Sequence, residues 1–191
     1  MTKKLQVAII ICALNEEKNI NNLLSDLLVQ NTKGFDLNKI LVISDGSTDK
    51  TVEIVNSFKS KTIEVVNHKD RRGKAARLEE AFKKLQEDVF VVLDADVALA
   101  HKNVVLEMVL PFLKNQSLGT VGGNSQPFKE GNFLQNSIAS SFRVYSNLRE
   151  KYNSLSFGPI VAYSFTLAKK IKFPKGLISE DAYGYLSCLN F

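Results

Sequence analysis

The sequence predicts an α/β fold in which a mostly parallel central sheet is flanked by helices. Two observations predict it. Short apolar runs alternate with segments of helical periodicity as far as Lys114, and this order is typical of a parallel sheet covered on both faces. The 191 residues, 45% of them hydrophobic and 24% charged, also suffice for one sizeable core. We therefore expect a single domain over residues 1–191.

Each strand and helix of the first part follows from the spacing of its apolar residues. A continuous apolar run, typical of a strand buried on both faces, predicts a strand at residues 5–12, and shorter strands are predicted at residues 39–43, 62–66 and 89–93. Apolar residues at helical spacing predict helices at residues 15–30, 73–85 and 101–114. A further helix carries Val52, Val55 and Phe58, with Ser47 or Thr48 as its cap.

After Leu118 the pattern becomes irregular. Residues 119–123 fit a short strand, residues 132–151 predict a long helix, and residues 157–167 are apolar but interrupted by Gly158 and Pro159. This part of the chain predicts its elements less sharply, and no internal repeat or linker separates it from the first part.

Composition and charge exclude several classes of protein. The net charge of +5 is spread along the chain and does not indicate a nucleic-acid partner. Cys12 and Cys188 form neither a disulfide framework nor a zinc site, which favours a reducing compartment. No apolar run approaches the roughly 20 residues of a membrane span, and the apolar run after Lys4 is too short for a signal peptide. We therefore expect a cytoplasmic chain.

Polar clusters follow all four predicted strands of the first part. They are Leu14-Asn15-Glu16-Glu17, Asp45-Gly46-Ser47-Thr48-Asp49, His68-Lys69-Asp70-Arg71-Arg72-Gly73-Lys74 and Asp94-Ala95-Asp96. In open α/β sheets, ligands bind beyond the carboxyl ends of the strands. The sequence therefore predicts that these clusters meet at one ligand-binding rim.

The Asp94-Ala95-Asp96 pair indicates a metal site. Two carboxylates directly after a buried strand can hold a hard divalent cation, which would neutralise a diphosphate. Asp45 can accept hydrogen bonds from a base edge or a ribose, and the Arg72-Gly73-Lys74 turn at a helix start suits phosphate. The alternatives are a solvated turn, a helix cap and an ordinary basic surface.

Glu180-Asp181 is the last candidate pair. Adjacent acids are usually surface residues, but a group-transfer enzyme needs a carboxylate base for its acceptor. Sequence alone leaves both interpretations open.

Together, Ala13-Leu14-Asn15-Glu16-Glu17, Asp45-Gly46-Ser47-Thr48-Asp49-Lys50-Thr51, Arg72-Gly73-Lys74, Asp94-Ala95-Asp96 and Glu180-Asp181 resemble family 2 glycosyltransferases. The resemblance runs in order from about Val7 to Asp181. It implies the GT-A fold, a Rossmann-like sandwich. It also implies an inverting transfer of a sugar from a nucleoside diphosphate donor, with a UDP-sugar favoured, and Mn²⁺ or Mg²⁺ as the cofactor.

The resemblance also implies residue roles. Asp45 recognises the base, while Leu14, Asn15, Glu16, Arg72, Lys74 and Asp94 contact the rest of the donor. Asp96 coordinates the metal together with Asp94, and Asp181 is the general base with Glu180 beside it. Many family members have Tyr or Phe in place of Leu14 and Asp in place of Ser44. We therefore expect no ring stacking at Leu14 and one nucleotide contact fewer at Ser44.

The same resemblance divides the chain into a nucleotide-sugar-binding half, residues 1–117, and an acceptor-side half, residues 118–191, which we expect to be incomplete. The acceptor it implies is a lipid, a saccharide or another hydroxyl compound. It implies no nucleic acid, and it places the chain in the cytoplasm or at the cytoplasmic face of a membrane, through segments outside this chain.

Three other interpretations fit parts of this pattern. A haloacid-dehalogenase-type phosphatase has its Asp-x-Asp after the first strand, with Thr or Val where Ala98 stands here. A sugar nucleotidyltransferase needs a glycine-rich loop where Leu14-Asn15-Glu16 stands. The third, a non-catalytic domain that binds nucleotide sugars, stays open.

Overall fold

A computed structural model describes residues 4–125, 158–177 and 179–189. The strands are β1 (Leu5–Ala13), β2 (Phe35–Asp45), β3 (Ile63–His68), β4 (Val89–Asp94), β5 (Thr120–Gly122) and β6 (Ile160–Ser164). The helices are α1 (Ile20–Leu28), α2 (Thr51–Ser57), α3 (Lys74–Lys84), α4 (Val104–Lys114), α5 (Phe165–Lys170) and α6 (Glu180–Leu189). None of the helices in these ranges is long and apolar enough to cross a membrane.

The six strands form one sheet in the order β3-β2-β1-β4-β6-β5. The first four are parallel to one another, whereas β6 runs antiparallel to both β4 and β5. This confirms the predicted fold class, a mostly parallel sheet flanked by helices. The antiparallel strand was not predicted, because Gly158 and Pro159 interrupt the apolar run from which β6 begins.

Apolar residues cover both faces of the sheet. Ile9 and Ile11 of β1 face a core shared with α1, α2 and α4, whereas Ala8 and Ile10 face a second core shared with α3 and α5. Successive side chains of a strand point to opposite faces, so a strand that is apolar throughout is buried on both. The continuous apolar runs are explained by this arrangement.

The strand and helix bounds differ from the predicted ones mainly at the carboxyl edge of the sheet. Helix α1 begins at Ile20 and not at residue 15, because the preceding residues form a loop. Helix α2 begins at Thr51, and neither Ser47 nor Thr48 caps it. Instead, Asp49 Oδ1 accepts a hydrogen bond from the Thr51 amide at 3.0 Å.

The second half of the chain confirms one predicted element and adds three. The expected strand at residues 119–123 is β5, and residues 157–167 contain β6 and the start of α5. Helix α6 was not predicted. The helix expected at residues 132–151 lies outside the described residues.

Candidate active site

The carboxyl ends of the central strands bring the predicted polar clusters to one edge. In the sheet register, Ala13 of β1 lies opposite Ser44 of β2, and Cys12 lies opposite Asp94 of β4. Asp45 lies opposite His68 of β3. The loops that leave these strands therefore start side by side, as the parallel order predicted.

The loops after β1 and β2 hold each other in place. Asn15 has a left-handed backbone with φ 58°, and its amide donates to Ser47 Oγ at 3.1 Å. The Thr48 amide donates to Asn15 Oδ1 at 2.8 Å, and the Glu16 amide donates to Thr51 Oγ1 at 2.8 Å. Ser47, Thr48 and Thr51 thus fix the segment that carries Asn15 and Glu16.

A second exchange of hydrogen bonds continues this contact toward α2. The Glu17 amide donates to Asp49 Oδ2 at 3.0 Å, and Glu17 Oε2 accepts from the Lys50 amide at 3.1 Å. Glu16 Oε2 accepts from Asn19 Nδ2 at 2.8 Å. Two loops from different strands therefore form one polar layer, in which Leu14 is half-buried and Asn15 exposed.

Asp45 is a buried carboxylate that binds the loop after β3. Only 4% of the residue is exposed. Its Oδ1 accepts from the Arg72 amide at 2.9 Å and from Arg77 Nε at 2.6 Å, and its Oδ2 accepts from the Gly73 amide at 2.7 Å. Burial raises the pKa of Asp45, but these three hydrogen bonds outweigh it and lower the pKa below its ordinary value. The carboxylate is therefore charged.

Arg77 is the partner that sequence analysis missed. It is 1% exposed, although it carries a full charge. Besides Asp45, it donates to the Asp70 carbonyl oxygen at 2.6 Å and to Asp70 Oδ1 at 3.1 Å. A signal was available in the sequence. Arg77 lies four residues before the buried Ala81, on the apolar side of α3, where a charged residue needs a partner.

Gly46 continues the chain from Asp45 beneath the same loop. Its φ of +87° lies in the left-handed region, and a Cβ atom there would lie 3.4 Å from the Arg71 nitrogen and from the Asp70 carbonyl carbon. Glycine therefore satisfies both the backbone conformation and the close approach of the two segments.

Lys74 connects the remaining acidic residues. Its ammonium group contacts Asp94 Oδ1, at the end of β4, and Glu180 Oε1, at the start of α6. Burial lowers the pKa of Lys74, but Asp94 and Glu180 together raise it above its ordinary value. Burial also raises the pKa of Asp94, against the opposing effect of Lys74. Asp96 is exposed and forms no ion pair within the described ranges.

The acidic pair fits only part of a metal site. Among the described residues, no group of three or more His, Cys, Asp or Glu side chains is placed to hold a metal ion. Asp94 and Asp96 supply two carboxylates. Mg²⁺ is commonly held by one or two carboxylates together with substrate phosphates. The pair therefore fits a metal that arrives with a diphosphate, and not a preformed protein cage.

Asp181 follows Glu180 in the first turn of α6. Its Oδ1 accepts from Ser179 Oγ at 2.6 Å and from the Ala182 amide at 2.8 Å. Within the described part of the chain, Oδ2 accepts no hydrogen bond. One oxygen is thus oriented by the chain, and the other is available to a ligand.

A cavity of about 1110 Å³ lies between α3 and the segment before α6. Its lining includes Lys74 and Glu180 together with Phe173 and Lys175. The cavity gives a ligand space next to the two charged groups that join α3 to α6.

The structure brings together most of the predicted site residues. Leu14, Asn15, Glu16 and Asp45 lie on adjacent loops, and Lys74, Asp94 and Glu180 are in direct contact. Asp181 lies one residue further along α6. The side chains of Arg72 and Asp96 form no hydrogen bond or ion pair with the other candidates in the described ranges. The ligand that each residue binds stays a prediction.

Comparison with known proteins agrees with this arrangement. The family model for glycosyl transferase family 2 matches residues 8–171. Poly-beta-1,6-N-acetyl-D-glucosamine synthase of Staphylococcus epidermidis is 29% identical over 167 residues, which make up 86% of this chain and 39% of that protein. The chain thus spans well under half the length of this relative.

Two solved structures share the fold. A mannosyltransferase from Pyrobaculum calidifontis, in complex with GDP-Man and Mn²⁺, superposes with a TM-score of 0.74 at 21% identity, over 96% of this chain and 51% of that one. TarS from S. aureus, residues 1–349, has a TM-score of 0.66 at 22% identity, over 96% and 55%. At this identity the likeness shows the fold alone.

Proposed function

Since the chain belongs to glycosyl transferase family 2, we propose that it transfers a sugar from a nucleoside diphosphate donor to an acceptor hydroxyl, with inversion at the anomeric carbon. The observation that carries the proposal is the contact of one ammonium group, on Lys74, with both Asp94 and Glu180. It joins the Asp-x-Asp segment to the Glu-Asp segment, so that donor and acceptor groups share one site.

On the donor side, the nucleotide lies across the loops after β1 and β2. Asp45 has used three of the roughly four acceptor positions of a carboxylate, which leaves one on Oδ2 for the base. Arg72, with an exposed side chain at the start of α3, faces the phosphates, as does the helix N-terminus. Leu14, Asn15 and Glu16 line the opposite side.

Asp94 and Asp96 hold the divalent cation, Mn²⁺ or Mg²⁺. When bound, the cation supplies positive charge to the diphosphate and so stabilises it as a leaving group. Asp96 is exposed and without an ion pair among the described residues, so it can coordinate a cation at no cost in protein contacts. Lys74 contacts Oδ1 of Asp94 among the described residues, so Oδ2 would be the oxygen that coordinates the cation.

Asp181 acts as the general base. Its Oδ2 accepts the proton of the acceptor hydroxyl while the hydroxyl oxygen attacks the anomeric carbon. The new glycosidic bond forms as the bond to the diphosphate breaks, and the diphosphate leaves with the electron pair. Attack opposite the leaving group inverts the anomeric centre. Ser179 and the Ala182 amide hold Asp181 Oδ1 and orient the carboxylate.

The substrate classes are supported by what similar proteins make or bind. One relative is named as a synthase of poly-beta-1,6-N-acetyl-D-glucosamine, and the solved neighbours include complexes with GDP-Man and with UDP and Mn²⁺. We propose a UDP-sugar as the donor and a saccharide, lipid or other hydroxyl compound as the acceptor, in the cytoplasm or at the cytoplasmic face of a membrane.

Replacement of Asp181 by Asn tests the proposal. The variant should bind UDP with Mn²⁺ as the wild type does, because the base acts on the acceptor. It should lose transfer by roughly 10²–10⁴-fold, the usual range for general base catalysis. Thermal shift with UDP-, GDP- and dTDP-sugars, with and without Mn²⁺, measures donor binding. Release of the free nucleoside diphosphate measures transfer.

Asp36→Asn, on the exposed amino end of β2, is the matched control and should leave both unchanged. Transfer by Asp181→Asn at the wild-type rate would contradict the assignment and direct attention to Glu180. A wild-type chain that binds the donor but transfers nothing to water or to any supplied acceptor would favour a non-catalytic binding domain.

A further inference from the structure

Lys74 lies where two separate parts of the molecule meet. Asp94 ends a strand of the parallel sheet, and Glu180 begins the last described helix. The two carboxylates contact the same ammonium group, whose side chain is 28% exposed, while that of Glu180 is 14% exposed. Without the ammonium group, two negative charges would face each other at short range, and such like-charge contacts are unfavourable.

Helix α6 is seated by two different kinds of contact. Glu180, Gly184 and Cys188 are spaced four residues apart and therefore lie on one side of the helix. A Cβ atom on Gly184 would lie 2.6 Å from Tyr163 Oη, and a Cβ atom on Gly119 would lie 2.5 Å from Cys188 Sγ. The middle and end of α6 are thus held by close packing, whereas its first turn is held by the charge contact of Glu180 together with the ring contact between Tyr183 and Phe173.

The first turn is also the part that carries Asp181. The energy of a charge contact between partly exposed groups changes when another charge is added nearby, whereas the energy of close packing does not. Anything that neutralises or binds Asp94 therefore changes the force on Glu180 through Lys74. The middle of α6 is packed against Tyr163, so such a change would act on the first turn of α6 while the middle stays fixed.

We propose that Lys74 is a positioning residue that holds the first turn of α6, and with it Asp181, against the end of β4, and that it transmits engagement of Asp94 to this turn. The first part depends only on the contacts described above. The second part rests on the proposed function, because it requires a donor that engages Asp94.

Hydrogen exchange in the ligand-free full chain tests the first part. The Tyr183 amide, which donates to the Ser179 carbonyl oxygen at 3.2 Å, and its neighbours in α6 report on the first turn. In Lys74→Met these amides should exchange roughly tenfold faster, as expected for the loss of a charge-assisted hydrogen bond. Lys74→Arg should restore slow exchange. Lys83→Met, which removes a 68% exposed lysine of the same helix, is the matched control and should have no effect on α6.

Glu180→Gln breaks the contact from the other side and keeps the shape of the side chain. It should accelerate the same amides, and the double variant should exchange no faster than either single variant. Unchanged exchange of these amides in Glu180→Gln would overturn the positioning role. This second variant decides the matter even if Lys74→Met unfolds.

UDP with Mn²⁺ tests the second part. In the wild type, saturation should change exchange in the first turn of α6 at least about threefold, and in Glu180→Gln the change should be absent. Binding of UDP to the wild type without any change in α6 would overturn the coupling. If thermal shift shows that UDP does not bind at all, it is the proposed function that fails, and the ligand-free comparison still decides whether Lys74 positions the helix.

Discussion

Two charged clusters on the same helix differ in what surrounds them. Arg77 and Lys74 lie one turn apart on α3, and each contacts more than one acidic group. The Arg77 cluster is buried and includes Asp45, whose oxygens also accept two backbone amides. The Lys74 cluster is partly open to solvent and joins side chains from a strand and another helix.

The difference in burial explains why the two clusters have different roles. Removal of one member of a buried ion pair leaves an unpaired charge in the interior, whereas an exposed pair contributes little to stability. The Arg77 cluster therefore fixes the loop that precedes α3. The Lys74 cluster costs less to rearrange, so it suits a part of the site that has to admit a ligand. For a charged pair at the edge of a site, the degree of burial indicates its role better than the presence of the charges does.

The largest effect is expected for Arg77→Met. It leaves Asp45 buried without its cation, and we expect a loss of about 3–5 kcal/mol in the free energy of unfolding. Urea denaturation at pH 7 measures it. Lys84→Met, on the exposed side of α3, is the control and should change stability by less than about 0.5 kcal/mol. A loss in the free energy of unfolding as small as that of Lys84→Met would mean that the two clusters do not differ in their contribution to stability.

The effect of Asp45→Asn should be smaller and should depend on pH. The amide keeps one acceptor oxygen but places an NH₂ group against N–H donors, which should cost about 1.5–3 kcal/mol at pH 7. Since the folded-state pKa of Asp45 lies below its ordinary value, its contribution is complete well above that value and is lost as the pH falls through the folded-state pKa.

The difference in stability between wild type and Asp45→Asn should therefore narrow as the pH is lowered through the ordinary range for aspartate and below it. Urea midpoints across this range, with Asp36→Asn as the surface control, provide the measurement. A difference that stays constant with pH would mean that Asp45 contributes through its shape and not through its charge.

The smallest change in stability is expected for Asp96→Ala. The residue is exposed and takes no part in either cluster, so the free energy of unfolding should stay within about 0.5 kcal/mol of the wild type. Calorimetry of UDP binding should nevertheless show that the Mn²⁺-dependent part of the affinity is lost. Unchanged affinity with excess Mn²⁺ would remove Asp96 from the proposed metal site.

Much of the fold could be predicted because β1 and β4, at the centre of the sheet, consist almost entirely of apolar residues. The runs that contain Ile9–Ile11 and Val91–Leu93 are buried on both faces, which is typical of a parallel sheet covered by helices. Strand β6 could not be predicted in this way. It is short, it follows Gly158-Pro159, and its antiparallel direction depends on the route of the chain between β5 and β6.

The site residues could be predicted where a motif sits at a strand end, as with Asp45 and Asp94. The partners could not, because they depend on how α3 and α6 lie against the sheet. Arg77 reaches Asp45 from the next strand–helix unit, and Lys74 reaches Glu180 across a long stretch of sequence. Neither contact has a fixed spacing. Only the position of Arg77 on the apolar side of α3 indicated that it pairs with a buried acidic residue.

The turn after Asp45 also limits how this protein can vary. A substitution at Gly46 would meet both a left-handed backbone and the chain at Asp70 and Arg71, whereas Thr48, exposed beside it, meets neither restriction. A library randomised over this turn should therefore return glycine almost without exception at the first of these positions and a broad mixture at the second. Sequence variation in this turn is therefore expected to accumulate at exposed positions such as Thr48 and not at Gly46.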